Sequence, residues 1–360
     1  MAHGMSDERV KCVFDDLAIW RVKLPQAKFA VLPPSSNRPN PLATDDVVYA
    51  SVFSPGAVVA LERCTGKVIW HRNLPKFGGP SVYLSHGTLL ATTANTVHAL
   101  NPETGETRWS FCPYGESGET IYSQPTVQKG HVFIGDWYGF LHCLDFETGK
   151  TKWKTLTSRA KNRAVNSTPV LSNGLVIIST NAKRAAAYDI KTGKVQWISR
   201  VDGPSSFGPL LCGDILVVVT NSVYLLQPNS GKIVRKFSWR SKRVRGAECV
   251  RRGIVATVVH SQPSDGSTKL VGLDLNGVRL NSTFRAFVTF VRYVRETKLI
   301  YLSHLEGIDI RLPETGALVF EIQRKARTAG NGLIDVRQNG IYVLTMDGYV
   351  YALRHPSLNR

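Results

Sequence analysis

Arginine recurs at one position of a repeated pattern in this chain. When the repeats are aligned on Pro125, Pro169, Pro209, Cys249, Phe290 and Leu333, the position six residues earlier holds Glu119, Arg163, Gly203, Arg243, Phe284 and Arg327. Lys161, Arg245 and Arg285 stand within two residues of those positions, and Lys183 and Arg184 occupy a nearby turn. A guanidinium presents paired N–H donors that match carboxylate and phosphate, so arginines gathered around a concave mouth form an anion site. The competing reading is a solvated basic rim. Next to these residues, Asp136-Trp137-Tyr138-Gly139 places two aromatic side chains in a turn where another repeat has only Met346-Asp347-Gly348. Such a pair is either a stacking platform on a rim or a contact with a neighbouring repeat. The candidate ligand-binding set is therefore Arg163, Arg243, Arg245, Arg285, Arg327, Trp137 and Tyr138.

Catalytic signatures are sparse. Glu119 and Glu248 are the candidate acid and base, with ion pairing to the arginines as the alternative. The chain contains no Gly-x-Ser-x-Gly elbow, P-loop, dinucleotide fingerprint or His-Glu-x-x-His, and its nine histidines include no i, i+4 pair. No metal site and no cofactor are expected. A second basic run, RKFSWRSKRVRGAECVRR, carries Arg235, Lys236, Arg240, Lys242, Arg243, Arg245, Arg251 and Arg252 around Trp239. It reads as nucleic-acid-binding or as a solvated outer edge.

The elements that must position these residues repeat along the chain. An alternating apolar strand, a polar turn ending in Thr-Gly and a strand bearing Trp appear as VVALERCTGKVIW, VHALNPETGETRW, LHCLDFETGKTKW and AAAYDIKTGKVQW. Looser copies are VYLLQPNSGKIVR, VGLDLNGVRL and IDIRLPETGALVF, and the turn glycines follow one another at intervals of 38 to 46 residues. Each phrase is a β-hairpin, and segments such as STPVLSNGLVIIST supply two further strands upstream. A four-stranded sheet repeated at this period implies a β-propeller blade. Trp20, Trp70, Trp109, Trp153 and Trp197 share one register and read as wedges between blades. The stretch 18–24 carries the Trp-bearing strand that the last, C-terminal repeat lacks. An all-β, eight-bladed propeller closed by the N-terminal strand follows, with residues 1–12 as a flexible tail and 13–360 as one domain.

Composition agrees with a globular chain: 43% of its 360 residues are hydrophobic and 20% are charged. A net charge of +18 favours anionic partners, an acidic protein or anionic small molecule, with nucleic acid as a further option. The six cysteines are scattered with no Cys-x-x-Cys, which reads as reduced thiols and a cytoplasmic location. No apolar run is long enough to span a membrane, no export signal is legible at the N-terminus, and a monomer is expected.

The LxALDxxTGxxxW phrases, with a GxVxVGxxDGxL-like segment before them, resemble the pyrroloquinoline-quinone-like repeat. That repeat is shared by quinoprotein dehydrogenases and the outer-membrane assembly lipoprotein of β-barrel insertion. The resemblance covers nearly the whole chain and implies the fold; function differs among its members. Quinoprotein alcohol dehydrogenases carry adjacent cysteines beside their cofactor and considerable extra length, which this sequence lacks, so quinone and calcium are not expected. The lipoprotein carries an export signal with a lipidated cysteine, and no such signal is legible here.

Overall fold

The Thr-Gly turns fold as hairpins because their own side chains satisfy the turn. In the computed structural model, Asp145 Oδ1 accepts the backbone N–H of Thr148 at 3.0 Å and its hydroxyl at 2.9 Å. Gly149, at φ 68°, donates its N–H to the Asp145 carbonyl at 2.9 Å. Asp189, Thr192 and Gly193 repeat this arrangement in the following turn. The positive φ explains the glycine, since a side chain there would be strained.

The structure describes residues 10–25, 41–52, 54, 56–75, 78–115, 121, 123–205, 207–239, 242–250, 253–260, 268–274, 277–284, 288–304, 307–313, 315–323, 333–337, 340–345 and 348–356. Their strands form eight sheets, each with an antiparallel four-stranded meander. Blade 1 comprises Leu42–Ala43, Val47–Val52, Ala57–Glu62 and Val68–Asn73. Blade 2 comprises Gly78–Ser85, Thr88–Thr93, Val97–Leu100 and Thr107–Phe111, and blade 3 Thr126–Gln128, His131–Gly135, Phe140–Asp145 and Thr151–Leu156. Blade 4 is Val170–Ser172, Leu175–Thr180, Arg184–Asp189 and Val195–Arg200; blade 5 is Leu210–Cys212, Ile215–Val219, Val223–Leu226 and Ile233–Phe237. Blade 6 is Lys242–Val250, Gly253–His260, Thr268–Asp274 and Gly277–Phe284; blade 7 is Val288–Val294, Leu299–His304, Gly307–Arg311 and Leu318–Gln323. Blade 8 takes Leu333–Arg337, Gly340–Leu344 and Tyr349–Arg354 from the C-terminal end and Ala18–Lys23 from the N-terminal end. The eight-bladed propeller is thus closed as the sequence implies, with Trp20 opposite Ala352 and Val22 opposite Val350.

Blades are wedged together by tryptophan. Trp20 of blade 8 donates its indole N–H to the Arg63 carbonyl of blade 1 at 2.8 Å and lies over Gly66, where a Cβ would stand 2.7 Å from the ring. The same pairing recurs as Trp70 on Gly105, Trp109 on Gly149, Trp153 on Gly193 and Trp197 on Gly231. Each of these indoles donates to a carbonyl in the next blade's turn. The Thr-Gly glycine therefore serves two ends, the turn and the bed for the preceding blade's indole. Apolar clusters fill the spaces between blades; one joins Trp20, Leu344 and Val350 of blade 8 to Val48, Val59 and Leu61 of blade 1. Strands buried on both faces bring most of the apolar area out of water, the main source of stability in such a stack.

One expectation is corrected. The scattered cysteines are not all separate thiols: Cys212 of blade 5 and Cys249 of blade 6 are disulfide-bonded, with Cα atoms 5.5 Å apart. Their separation of 37 residues is about one blade, so residues near the ends of successive inner strands become neighbours. Cys64, Cys112 and Cys143 are free thiols. Val10–Val13, which spans the expected boundary between residues 12 and 13, pairs in parallel with Phe320–Gln323 and adds a fifth strand to blade 7. A four-residue helical turn, Phe14–Leu17, leads from it to the closing strand. Among the described residues, no helix is long and apolar enough to cross a membrane.

Candidate partner-binding rim

The turn joining the two middle strands of blade 3 is organised by Asp136, a buried carboxylate. Its Oδ1 accepts the Phe140 N–H at 2.8 Å. Its Oδ2 accepts the Tyr114 hydroxyl at 2.6 Å and lies 2.8 Å from His142 Nε2. Its backbone carbonyl accepts the N–H of Val165 at 2.8 Å and that of Gly139 at 3.2 Å. With both ends of the turn fixed, the two residues between are held outward: Trp137 is 50% exposed and Tyr138 is 43% exposed. The Tyr114 ring meets Tyr138 edge-on at 4.8 Å, and burial, aided by Asp136, raises the pKa of the Tyr114 phenol. Lys154 stands 4.0 Å from the centre of the Phe140 ring and 4.8 Å from that of Tyr114, placing a cation beside the platform.

Arg163 approaches from the connection between blades 3 and 4. Its Nε donates to the Tyr138 carbonyl at 2.6 Å and its Nη1 to the Ala160 carbonyl at 3.4 Å. Its stem crosses Gly139, where a Cβ would stand 2.5 Å from Arg163 Cγ; φ at this glycine is 86°. Arg163 was expected to act as an anion fork. Two of its nitrogens hold backbone carbonyls, which staples the aromatic turn. Lys161 and Lys183 are exposed on the same end of the propeller, because loops between the middle strands and loops between blades emerge together. Arg184 begins a strand of blade 4 and is half-buried.

Arg243 and Arg245 lie on the innermost strand of blade 6, and their side chains are outside the described set. Arg285, Arg327 and Glu119 lie outside the described residues. Of the expected arginine ring, the described side chains contribute Arg163 alone. Glu248, on the same blade 6 strand, faces blade 7: burial pushes its carboxyl up to about 7, while Arg292 and the Tyr293 N–H pull it down. It is an inter-blade group, and no pairing with Glu119 is described. In the second basic run, Lys236 is paired with Asp202 at 3.1 Å and Trp239 packs against the cluster between blades 5 and 6. That indole is therefore partly used in packing rather than wholly available to stack a base.

Sequence reasoning missed the Asp136, His142 and Tyr114 network. Its signal was an acidic residue opening an aromatic turn, with a histidine six positions on and therefore at the same strand parity. Tyr114, from the preceding blade, carries no local signal. The chain has no adjacent cysteines, and among the described residues no three His, Cys, Asp or Glu side chains converge.

Comparison with known proteins bears on the whole ring. The family model described as outer membrane protein assembly factor BamB matches residues 6–237. No curated protein sequence matches the chain. BamB from Moraxella catarrhalis is 14% identical, with 94% of this chain and 99% of that chain covered at a TM-score of 0.58. The quinohemoprotein alcohol dehydrogenase ADHIIG from Pseudomonas putida HK5 is 13% identical, covering 94% of this chain and 76% of that one at a TM-score of 0.72. The computationally designed Ika8 protein is also 13% identical, covering 92% and 98% at a TM-score of 0.70. At these identities the structural likeness shows the fold, which an enzyme, an assembly factor and a design share. With 232 of its 360 residues matched by the family model, the chain belongs to the BamB-type family of PQQ-like repeat propellers.

Proposed function

We propose that the protein is a binding or scaffold propeller that engages an acidic protein partner through the blade 3 and 4 end of its rim. The observation that carries this reading is the exposure of Trp137 and Tyr138 on a turn held at both ends, with Arg163 and Lys154 against it. Aromatic residues held in place lose little conformational freedom on binding and bury large areas, the usual character of an interface anchor. The net charge of +18 gives long-range attraction for an acidic surface. A scaffold role accords with the assembly-factor description of the family.

The test is a binding screen of Glu-rich peptides containing an aromatic residue, anionic metabolites and short single-stranded nucleic acids, at low and physiological salt. Wild type is compared with Trp137→Ala and Arg163→Ala. Peptide binding that survives physiological salt and falls in both variants supports the proposal. Nucleic-acid binding that falls steeply with salt and ignores both variants, or turnover of a metabolite, contradicts it.

A further inference from the structure

The opposite end of the propeller, where the turns between first and second strands emerge, carries a cavity of about 580 Å3 beneath blades 5, 6 and 7. Its size lies within the range of small-molecule sites, about 300–1,000 Å3. Ile215, Leu225, Ile254 and Leu273 line it, and Leu225 and Leu273 are themselves buried between blades, so the cavity reaches the core. Cys212 and Cys249 form part of the wall and tie the inner strands of blades 5 and 6 together beside it. Leu211, also in the wall, is 38% exposed.

Among the described residues, the polar part of the lining is one-sided. Arg295 and Lys298, both exposed, border the cavity from the blade 7 turn, and Tyr293 stands beneath them on the adjoining strand. Glu296 sits on that blade 7 turn and Asp214 on the corresponding turn of blade 5, and neither is among the lining residues. An apolar chamber bordered by two cations matches one ligand chemistry: an apolar body that enters and a single anionic head that stays at the mouth.

We propose that this cavity is a binding site for an amphiphilic carboxylate, an alkyl or aryl chain capped by one anionic group, distinct from the partner-binding rim on the other end. The chain lies against the leucine and isoleucine walls, and the carboxylate meets Arg295 and Lys298. The disulfide keeps blades 5 and 6 at a fixed spacing, so the chamber is formed before the ligand arrives and little ordering is needed on binding.

Isothermal titration of the full chain with hexanoate, octanoate and decanoate tests the site, with decyltrimethylammonium and decanol as head-group controls. Each added methylene should raise affinity about four-fold. Decanoate should bind with one-to-one stoichiometry and at least about ten-fold more tightly than either control. Arg295→Gln combined with Lys298→Asn should lose that preference while retaining decanol binding; asparagine tolerates the positive φ of 56° at position 298. Leu211→Gln, a change at a partly exposed wall position, should lower decanoate and decanol binding together. No saturable decanoate binding, affinity independent of chain length, equal binding of the cationic control, or a preference unchanged in the double variant would each overturn the assignment.

Discussion

The Nε of Arg163 donates a 2.6 Å hydrogen bond to the carbonyl of Tyr138, and the two residues belong to different loops of the propeller end. The guanidinium crosses from the connection before blade 4 to the middle turn of blade 3, and its stem fills the space over Gly139. Arg163 thereby clasps the aromatic platform. Arg163→Ala should raise amide exchange at residues 137–139 and lower stability by about 1 kcal/mol, the typical net value of one hydrogen bond. Arg163→Lys should restore only part of the protection, since an ammonium cannot reproduce the fork that reaches both the Tyr138 and Ala160 carbonyls. Unchanged exchange in Arg163→Ala would show that Asp136 alone holds the turn.

Ring closure should be visible at Trp20. Its indole fills the bed over Gly66 and its N–H is bonded to Arg63, so Trp20→Ala opens a cavity between the last and first blades. Loss of a buried aromatic of this size costs about 3–5 kcal/mol. Chemical denaturation should show a lower midpoint for Trp20→Ala and a larger loss on deleting residues 1–25, which also removes the edge strand of blade 8. A midpoint equal to wild type in the deletion would mean that the ring is stable without its closing strand.

The Cys212–Cys249 bond closes a loop of 37 residues across one blade interface. In the chain-entropy view, a loop of this length contributes about 4 kcal/mol by restricting the unfolded chain. Cys249→Ser, or wild type under reducing agent, should therefore unfold at lower denaturant, with blades 5 and 6 losing amide protection first. Equal stability with and without reducing agent, after mass spectrometry has verified the thiols, would remove the bond from the stability of the fold.

Glu248 gives a pH dependence whose sign is fixed by its surroundings. Burial raises its folded-state pKa to about 7 from an ordinary value of 4.5, so the folded state binds the proton more tightly than the unfolded state does. The associated stability is fully present below about pH 4.5 and is lost as pH rises through 7. Relative to Glu248→Gln, whose side chain stays neutral, wild type should lose on the order of 1–3 kcal/mol between pH 4.5 and 8. A stability difference between the two proteins that does not vary with pH would place the carboxylate in an environment that solvates its charge.

The fold is legible in the sequence because a propeller repeats its local chemistry. The Asp145 and Thr148 turn, the glycine at its end and the tryptophan of the next strand recur at one spacing, and each blade needs the same parts. Closure is equally legible, since Trp20 is an outer-strand tryptophan with no blade before it. The site is less so, because its contacts join residues that no short motif links: Tyr114 to Asp136, Arg163 to Tyr138. The disulfide escaped the same way. Residues 212 and 249 become partners only once consecutive inner strands stand side by side, and neither carries a local mark of pairing. Trp137 could be singled out because it breaks the wedge register, and its 50% exposure agrees with that departure. The arginine register singled out Arg163, but sequence gives the approach to a strand and not the backbone acceptors its guanidinium finds.

The most direct test of the rim as a partner surface is isothermal titration of a Glu-rich, aromatic-containing peptide from the screen into wild type and into Trp137→Ala with Tyr138→Ala at physiological salt. Both substitutions fall on exposed turn positions, and near-UV circular dichroism verifies that the double variant is folded. Loss of two aromatic anchors should cost about 2–4 kcal/mol, a weakening of roughly thirty- to a thousand-fold. Affinity within about two-fold of wild type in the folded double variant would contradict the assignment of the Trp137 and Tyr138 turn as the binding surface.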